Sequence, residues 1–282
     1  MQIVSDVKGL KKVIDHFKQN KKSIGFVPTM GALHMGHLSL IRMAAQQCEV
    51  VVISIFVNPT QFNNPIDLKN YPSTLNQDIA LLEKETCHVL FTPSEQEMYP
   101  NGQKSMSYPL GGIDLILEGH KRPGHFDGVC TIVHRLFEIV RPNKAFFGEK
   151  DFQQLYIIQK LTKHLCLDIE IVAGRTIRED DGLAKSSRNM LLNDSQRKLA
   201  PIIYQQLKNA KSTYGKKDTN ELKKDIENII NANPEMTLDY IEIIDAISFK
   251  PIHKIDKNHK PMVFIAVYLG KIRLIDNLPL ID

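Results

Sequence analysis

Residues 24–57 read IGFVPTMGALHMGHLSLIRMAAQQCEVVVISIFV. Two short runs within it, IGFVP at 24–28 and VVISIFV at 51–57, are rich in β-branched residues and apolar on both faces. Strands of a parallel sheet covered on both sides have this character. Between them, Leu38, Ile41 and Ala45 recur at helical spacing over 37–48, so the unit is strand, turn, helix, strand. The grammar continues outward. HVLFTP (88–93), KAFFGE (144–149) and IEIVAG (169–174) read as further strands, with helices near 74–86, 127–140 and 151–164. The alternation predicts a doubly wound α/β domain whose ligands sit at the carboxyl ends of the strands.

After about residue 176 the pattern changes. Helical segments near 194–212 and 219–232 are followed by LDYIEIID (238–245) and by a hairpin, MVFIAVYLGKIRLIDN (262–277), turning at Leu269-Gly270. That is the pattern of a small α+β domain with antiparallel strands. The joining stretch TIREDDGLAKSSRN (176–189) is too polar to be core. The expected organisation is a Rossmann-like domain over 1–176 and a smaller α+β domain over 177–282, which a water-sensitive reaction would use as a lid.

Composition excludes several classes. A net charge of +4 over 282 residues, with only short basic runs, does not suggest nucleic-acid binding but suits a small anion. No run of about 18 apolar residues occurs, so no membrane span is expected. Cys48, Cys87, Cys130 and Cys166 are widely spaced and lie in apolar surroundings. They read as buried reduced thiols of a cytosolic protein.

The turn after the first strand carries the first chemical signal. Gly31 and Gly36 permit tight turning, and open N–H groups at a helix start favour an anion. GALHMGHL has the glycine spacing of a P-loop, but His37 and Leu38 stand where Lys and Ser/Thr are required, and no GxGxxG occurs. What remains is His34-x-Gly36-His37, two imidazoles able to donate to phosphate oxygens as charge builds on them. FVNPTQF (56–62) brings the neutral amides of Asn58 and Gln61 to the end of the second strand, suited to a hydroxyl or carboxylate. EGHKRPGHFDGV (118–129) places Lys121, Arg122 and His125 in a loop before a helix. FFGEKDFQQ (146–154) leads from a strand end through Gly148, Glu149, Lys150 and Asp151 to Gln154, and its lysine can hold a phosphate as a point charge. DGLAKSSRN (181–189) groups Lys185, Ser186, Ser187 and Arg188 into a compact set for phosphate.

His34-x-Gly36-His37 resembles the HxGH signature of the nucleotidyltransferase superfamily. Taken with PTMGALHMGH, FVNPTQF, RPGHFDGV, FFGEKDFQQ and DGLAKSSRN in that order, the chain is similar along its length to the pantoate–β-alanine ligases. The resemblance implies an ATP-dependent, AMP-forming ligase joining pantoate to β-alanine through a pantoyl adenylate. It also implies Mg2+, a cytoplasmic location and a homodimer. It assigns Met30, Gly31, Ala32, Leu33, His34, Met35, Gly36 and His37 to the ATP site, with His34 and His37 on the phosphates and His37 as proton donor. Gly148, Glu149, Lys150 and Asp151 would bind nucleotide, Lys150 reaching phosphate. Ile177 would touch the base through its backbone, and Lys185, Ser186, Ser187 and Arg188 would close on the triphosphate as the KMSKS loop does in the wider superfamily. Gln61 would contact both pantoate and β-alanine, Gln154 would hold pantoate's hydroxyl or carboxylate with Asn58 among the substrate-binding residues, and Arg122 would lie near the phosphates or a dimer-side loop. Asp78, after Tyr71-Pro72, is left as the metal candidate. Other HxGH enzymes, namely a cofactor-forming nucleotidyltransferase or an aminoacyl-tRNA synthetase, are the competing enzyme class. A nucleotide-sensing module would have no use for Gln61 and Gln154.

Overall fold

The computed structural model describes residues 1–252 and 258–281. The chain divides into two compact units, Met1–Arg175 and Thr176–Asp282. The first holds six parallel strands: β1 (Gln2–Val4), β2 (Ile24–Thr29), β3 (Val50–Ile55), β4 (Val89–Phe91), β5 (Lys144–Gly148) and β6 (Glu170–Gly174). Their order is β1-β4-β3-β2-β5-β6. From β2 the chain winds one way to β3 and β4, beyond which the N-terminal β1 forms the edge, and β5 and β6 then fill the other side. The point where the winding reverses is the β2–β5 boundary, the place where open α/β sheets take their ligands. Phe26, Val27, Val51, Val52 and Ile53 are wholly buried, as two-sided apolar runs require. The helix Met35–Gln47 covers Val27, Val51 and Ile53 with Leu38, Leu40, Ile41 and Ala44.

The β2–β3 ladder runs unbroken from Ile24↔Val50 to Thr29↔Ile55. The β2–β5 ladder pairs only Gly25↔Lys144 and Phe26↔Ala145. It ends two residues before Pro28, which has no N–H to give a partner. The β2–β5 pairing therefore stops short of the carboxyl ends of both strands.

β1 and the helix Val7–Gln19 precede everything that the apolar pattern predicts. β1 is three residues at a sheet edge, too short to show a period. The helix is capped by Asp6, whose carboxylate accepts from Gly9 N at 2.6 Å.

In the second unit β7 (Met236–Asp245), β8 (Pro261–Leu269) and β9 (Ile272–Pro279) form an antiparallel sheet in that order. Ile203, Leu207, Leu222, Ile226 and Ile230 from two helices pack with Ile243, Val263 and Ile265. The helix expected over 194–212 is two, Asp194–Leu199 and Ile202–Thr213, because Pro201 withholds the N–H that a continuous helix needs there. The stretch 176–189 also differs from expectation, since Leu183 and Ala184 are buried, Leu183 within the core of this unit. One cysteine departs from its reading too: Cys48, Cys87 and Cys130 are buried, whereas Cys166 is exposed. Among the described residues no helix is long and apolar enough to cross a membrane.

Candidate active site

Strand order brings three of the motifs to neighbouring strand ends. β3 runs into Asn58 and Gln61, β2 into Met30–His37 and β5 into Gly148–Asp151.

The turn after β2 is held from within. Thr29 Oγ1 donates to Ser54 O at 2.8 Å and accepts from Gly31 N at 3.2 Å. Gly31 and Ala32 both take positive φ, 84° and 49°. The N–H groups of Ala32 and Leu33 donate to the carboxylate of Asp78 at 3.0 and 2.8 Å, and Thr74 Oγ1 donates to the same group at 3.3 Å. Asp78 is 2% exposed. This corrects two expectations. The turn's amides are not an open anion site, because the protein's own carboxylate occupies them. Asp78 itself does not fit a magnesium site, since each oxygen already serves a backbone amide. Among the described residues no group of three or more His, Cys, Asp or Glu side chains is arranged to hold a metal.

His34 and His37 cap the helix that follows. His34 Nδ1 accepts from Gly36 N at 3.1 Å, and His37 Nδ1 accepts from His34 N at 3.3 Å. The two rings lie 4.0 Å apart. Gly36 is needed here, because a Cβ at that position would come within 2.9 Å of the folded-back His34 ring. With both Nδ1 atoms accepting, the neutral tautomer carries its proton on Nε2, so each ring offers one N–H donor. Burial first, then His34 and Lys150, push the His37 imidazole down to about 3. In the ligand-free protein His37 is therefore a hydrogen-bond donor and not a charged acid. The nucleotide's negative charge is what would raise it. Lys150, in the one-turn helix Glu149–Asp151, lies 3.6 Å from Asp151 Oδ1.

Around Gln61 the side chains are locked. Asn58, 1% exposed, donates from Nδ2 to Gln61 Oε1 at 3.0 Å and to Gly128 O at 3.2 Å. Its Oδ1 accepts from Tyr99 Oη at 2.6 Å and Thr60 Oγ1 at 3.1 Å. Both polar side-chain atoms of Asn58 are engaged within the protein, and its amide orients Gln61. The fixed amide turns Gln61 Nε2 to the thioether of Met30, 3.2 Å away. Sulfur is a weak acceptor, and an oxygen ligand would displace it. The Arg122 guanidinium donates to Gln61 O at 3.2 Å and sits 3.7 Å from Glu118.

The helix Phe152–His164 begins with two glutamines after its first residue. Gln153 is buried and structural, donating to Ile113 O and Ile116 O at 2.7 and 2.9 Å and accepting from Glu118 N at 3.0 Å. Gln154, half-buried, makes no side-chain hydrogen bond to the described residues. In the second unit Ile177 O accepts from Lys185 N at 2.9 Å, Lys185 Nζ pairs with Glu179 at 2.5 Å, and Ser186 Oγ accepts from Arg188 N at 3.3 Å. The roles of Tyr99, Thr74 and Gln153 carry no local sequence signal. His125 was visible in RPGHFDGV, but its partner was not.

A family model described as pantoate-beta-alanine ligase matches residues 2–279. The chain belongs to the pantoate–β-alanine ligase family. It is 47% identical over 281 residues to the pantothenate synthetase of Christiangramia forsetii, covering 99% of both chains. It is 46% identical over 279 residues to that of Carboxydothermus hydrogenoformans, covering 98% of both. Among solved structures, pantothenate synthetase from Thermus thermophilus superposes with a TM-score of 0.92 at 38% identity over 100% of both chains. The pantoate–β-alanine ligase of Francisella tularensis, complexed with β-γ ATP and β-alanine, matches with a TM-score of 0.84 at 39% identity, over 99% of this chain and 98% of that one. Membership in this ligase family agrees with the doubly wound sheet.

The ligase's buried histidines have a consequence for stability. His125 is 6% exposed, and burial first, then Arg122, hold it down at about 3. Its folded value lies below the unfolded one of about 6.5. The unfolded chain therefore takes up a proton that the folded one refuses, and stability is lost as pH falls from about 6.5 toward 3. The slope from this residue is roughly 1.4 kcal/mol per pH unit. Urea midpoints should fall between pH 7 and pH 5, and His125→Asn should flatten the fall. A midpoint unchanged over that range would contradict the burial argument.

Proposed function

We propose that this chain joins pantoate to β-alanine at the expense of ATP. The observation that carries the reading is the donor arrangement at the carboxyl ends of β2 and β5. The Nε2–H groups of His34 and His37, with Lys150, face an anion there, while Gln61 Nε2 points at a weak acceptor that a carboxylate or hydroxyl would replace. The pantoate carboxylate attacks the α-phosphorus, the bond to pyrophosphate breaks, and the imidazoles and Lys150 stabilise the charge gathering on the phosphate oxygens. The β-alanine amine then attacks the acyl carbon of the adenylate, loses a proton, and AMP leaves. No acyl carrier on the protein is required. Mg2+ enters on the phosphates of ATP, as this ion commonly does.

Gln154, without a side-chain partner among the described residues, completes the pantoate pocket with Gln61. Glu149 and Asp151 flank Lys150 on the nucleotide side. Ile177 and Lys185–Arg188 serve base and triphosphate, with the second unit as the lid, and Lys185 exchanges Glu179 for phosphate. The enzyme works as a cytoplasmic homodimer. AMP formation from ATP that needs both pantoate and β-alanine tests the whole reading; AMP formed without pantoate, or ADP as product, would overturn it. Gln61→Ala and Gln154→Ala should raise the KM for pantoate by roughly tenfold or more and leave calorimetric ATP affinity unchanged. Equal loss of ATP affinity in both would move these amides out of the acid pocket.

A further inference from the structure

Gln61 is the last residue of a one-turn helix, Pro59–Gln61, and its carbonyl is held from outside that turn. His125 Nδ1 donates to Gln61 O at 2.7 Å, and Arg122 Nη2 donates to the same oxygen at 3.2 Å. Because His125 gives its Nδ1 proton to a carbonyl, its neutral ring accepts at Nε2. Arg122 Nη1 lies 3.3 Å from that atom. Glu118, 6% exposed, stands 3.7 Å from the same Nη1 and balances the guanidinium's charge. The helix His125–Val140 comes so close to the turn that a Cβ on Gly128 would lie 2.4 Å from Thr60 O. Asn58 Nδ2 reaches across the same gap to Gly128 O. The turn is thus seated on the start of this helix by backbone contact, with the two side-chain donors aimed at one carbonyl.

We propose that Arg122 and His125 are positioning residues of the ligase, acting on pantoate through the backbone carbonyl of Gln61 rather than on phosphate. The inference rests on Gln61 being the acid-pocket amide. Asn58 sets the rotation of that amide, and the Arg122–His125 pair sets where its backbone stands. Two directional hydrogen bonds on one carbonyl fix the turn more narrowly than apolar packing would. A shift of about 1 Å at a reacting group can cost roughly 100-fold, so the pair has leverage without touching substrate. The charge of Arg122 is engaged by Glu118, His125 and a carbonyl, which explains how a guanidinium can stand beside a phosphate-binding site without joining it.

Pantoate-dependent exchange of labelled pyrophosphate into ATP tests this without β-alanine. Wild-type exchange, and a raised pantoate requirement in Gln61→Ala, secure the underlying reading; absence of either would sink that reading and the inference with it. Given both, His125→Ala and Arg122→Gln should raise the pantoate concentration for half-maximal exchange between roughly 10- and 100-fold, with calorimetric ATP affinity unchanged. His125→Asn, whose amide can reproduce the Nδ1–H donor, should recover part of the loss. The decisive arm is a double-mutant cycle with Gln61→Ala, because residues acting through one another are non-additive. Little further loss from His125→Ala in that background supports the proposal. Full additivity, or a defect in ATP affinity with pantoate dependence intact, overturns it. Thermal melting is run on each variant, and if His125→Ala does not fold, the cycle with Arg122→Gln decides.

Discussion

His37→Ala is expected to lower kcat on the order of 100-fold, the typical cost of losing one donor aimed at developing phosphate charge. The fold should survive. His37 Nδ1 serves only as the return half of the cap on the helix Met35–Gln47, and losing a cap contact costs about 1 kcal/mol. The neighbouring sheet does not depend on it, because Val27, Ile41 and Ile53 supply the core there. The proton involved is the one on Nε2, and the ring's low affinity for a second proton gives a further check. The kcat/KM profile should show no limb from His37 near pH 6.5, the ordinary imidazole value, since the free enzyme keeps this ring neutral down to about 3. A folded His37→Ala variant with nearly full kcat would remove the imidazole from the mechanism. An ionisation near the ordinary imidazole value that disappears in this variant would show that the ring works as a charged acid from the outset.

The second large effect is all-or-none. With pantoate and Mg2+ present and β-alanine absent, labelled pyrophosphate should enter ATP, because the adenylate-forming half-reaction is complete and reversible by itself. Omitting pantoate should abolish the exchange. Lys150→Ala should depress it by roughly 100-fold, since a fixed positive charge beside the phosphates is lost from a site where charge stabilisation is the main source of rate. Lys150 is also one of the groups holding His37 neutral, so in the variant the imidazole should take up a proton more readily. An NMR titration of the His37 ring would report that rise independently of turnover. ADP as the nucleotide product, or no exchange under conditions of normal complete turnover, would exclude an acyl adenylate.

The exposed Cys166 and the paired Lys185 show how far side-chain type alone can carry. Cys166 stands between Leu165 and Leu167 in the chain, but it follows the end of the helix Phe152–His164 with φ at 50°, and there the surrounding residues turn to solvent. Lys185 has the composition of a phosphate ligand, and it is Glu179 across a tight turn that supplies its partner in the ligand-free chain.

The sequence by itself determined whatever depends on neighbours within a few residues. Two-sided apolar runs marked β2 and β3, helical spacing marked the helix over Met35–Gln47, and the strand–turn–helix order placed three of the motifs at carboxyl ends. The mutual capping of His34 and His37 belongs to this class, since its contacts span two and three residues. Tertiary structure alone decided what the buried polar groups do. Asp78 reaches Ala32 across 46 residues, His125 reaches Gln61 across 64, and Tyr99 reaches Asn58 across 41. A carboxylate, an imidazole or a guanidinium has the same chemistry wherever it stands, so its type limits it to a set of roles. The choice among them depends on which orphaned backbone group lies within about 3 Å once the sheet has assembled. For that reason the carboxylate of Asp78 holds the amides of Ala32 and Leu33, and the guanidinium of Arg122 donates to the carbonyl of Gln61.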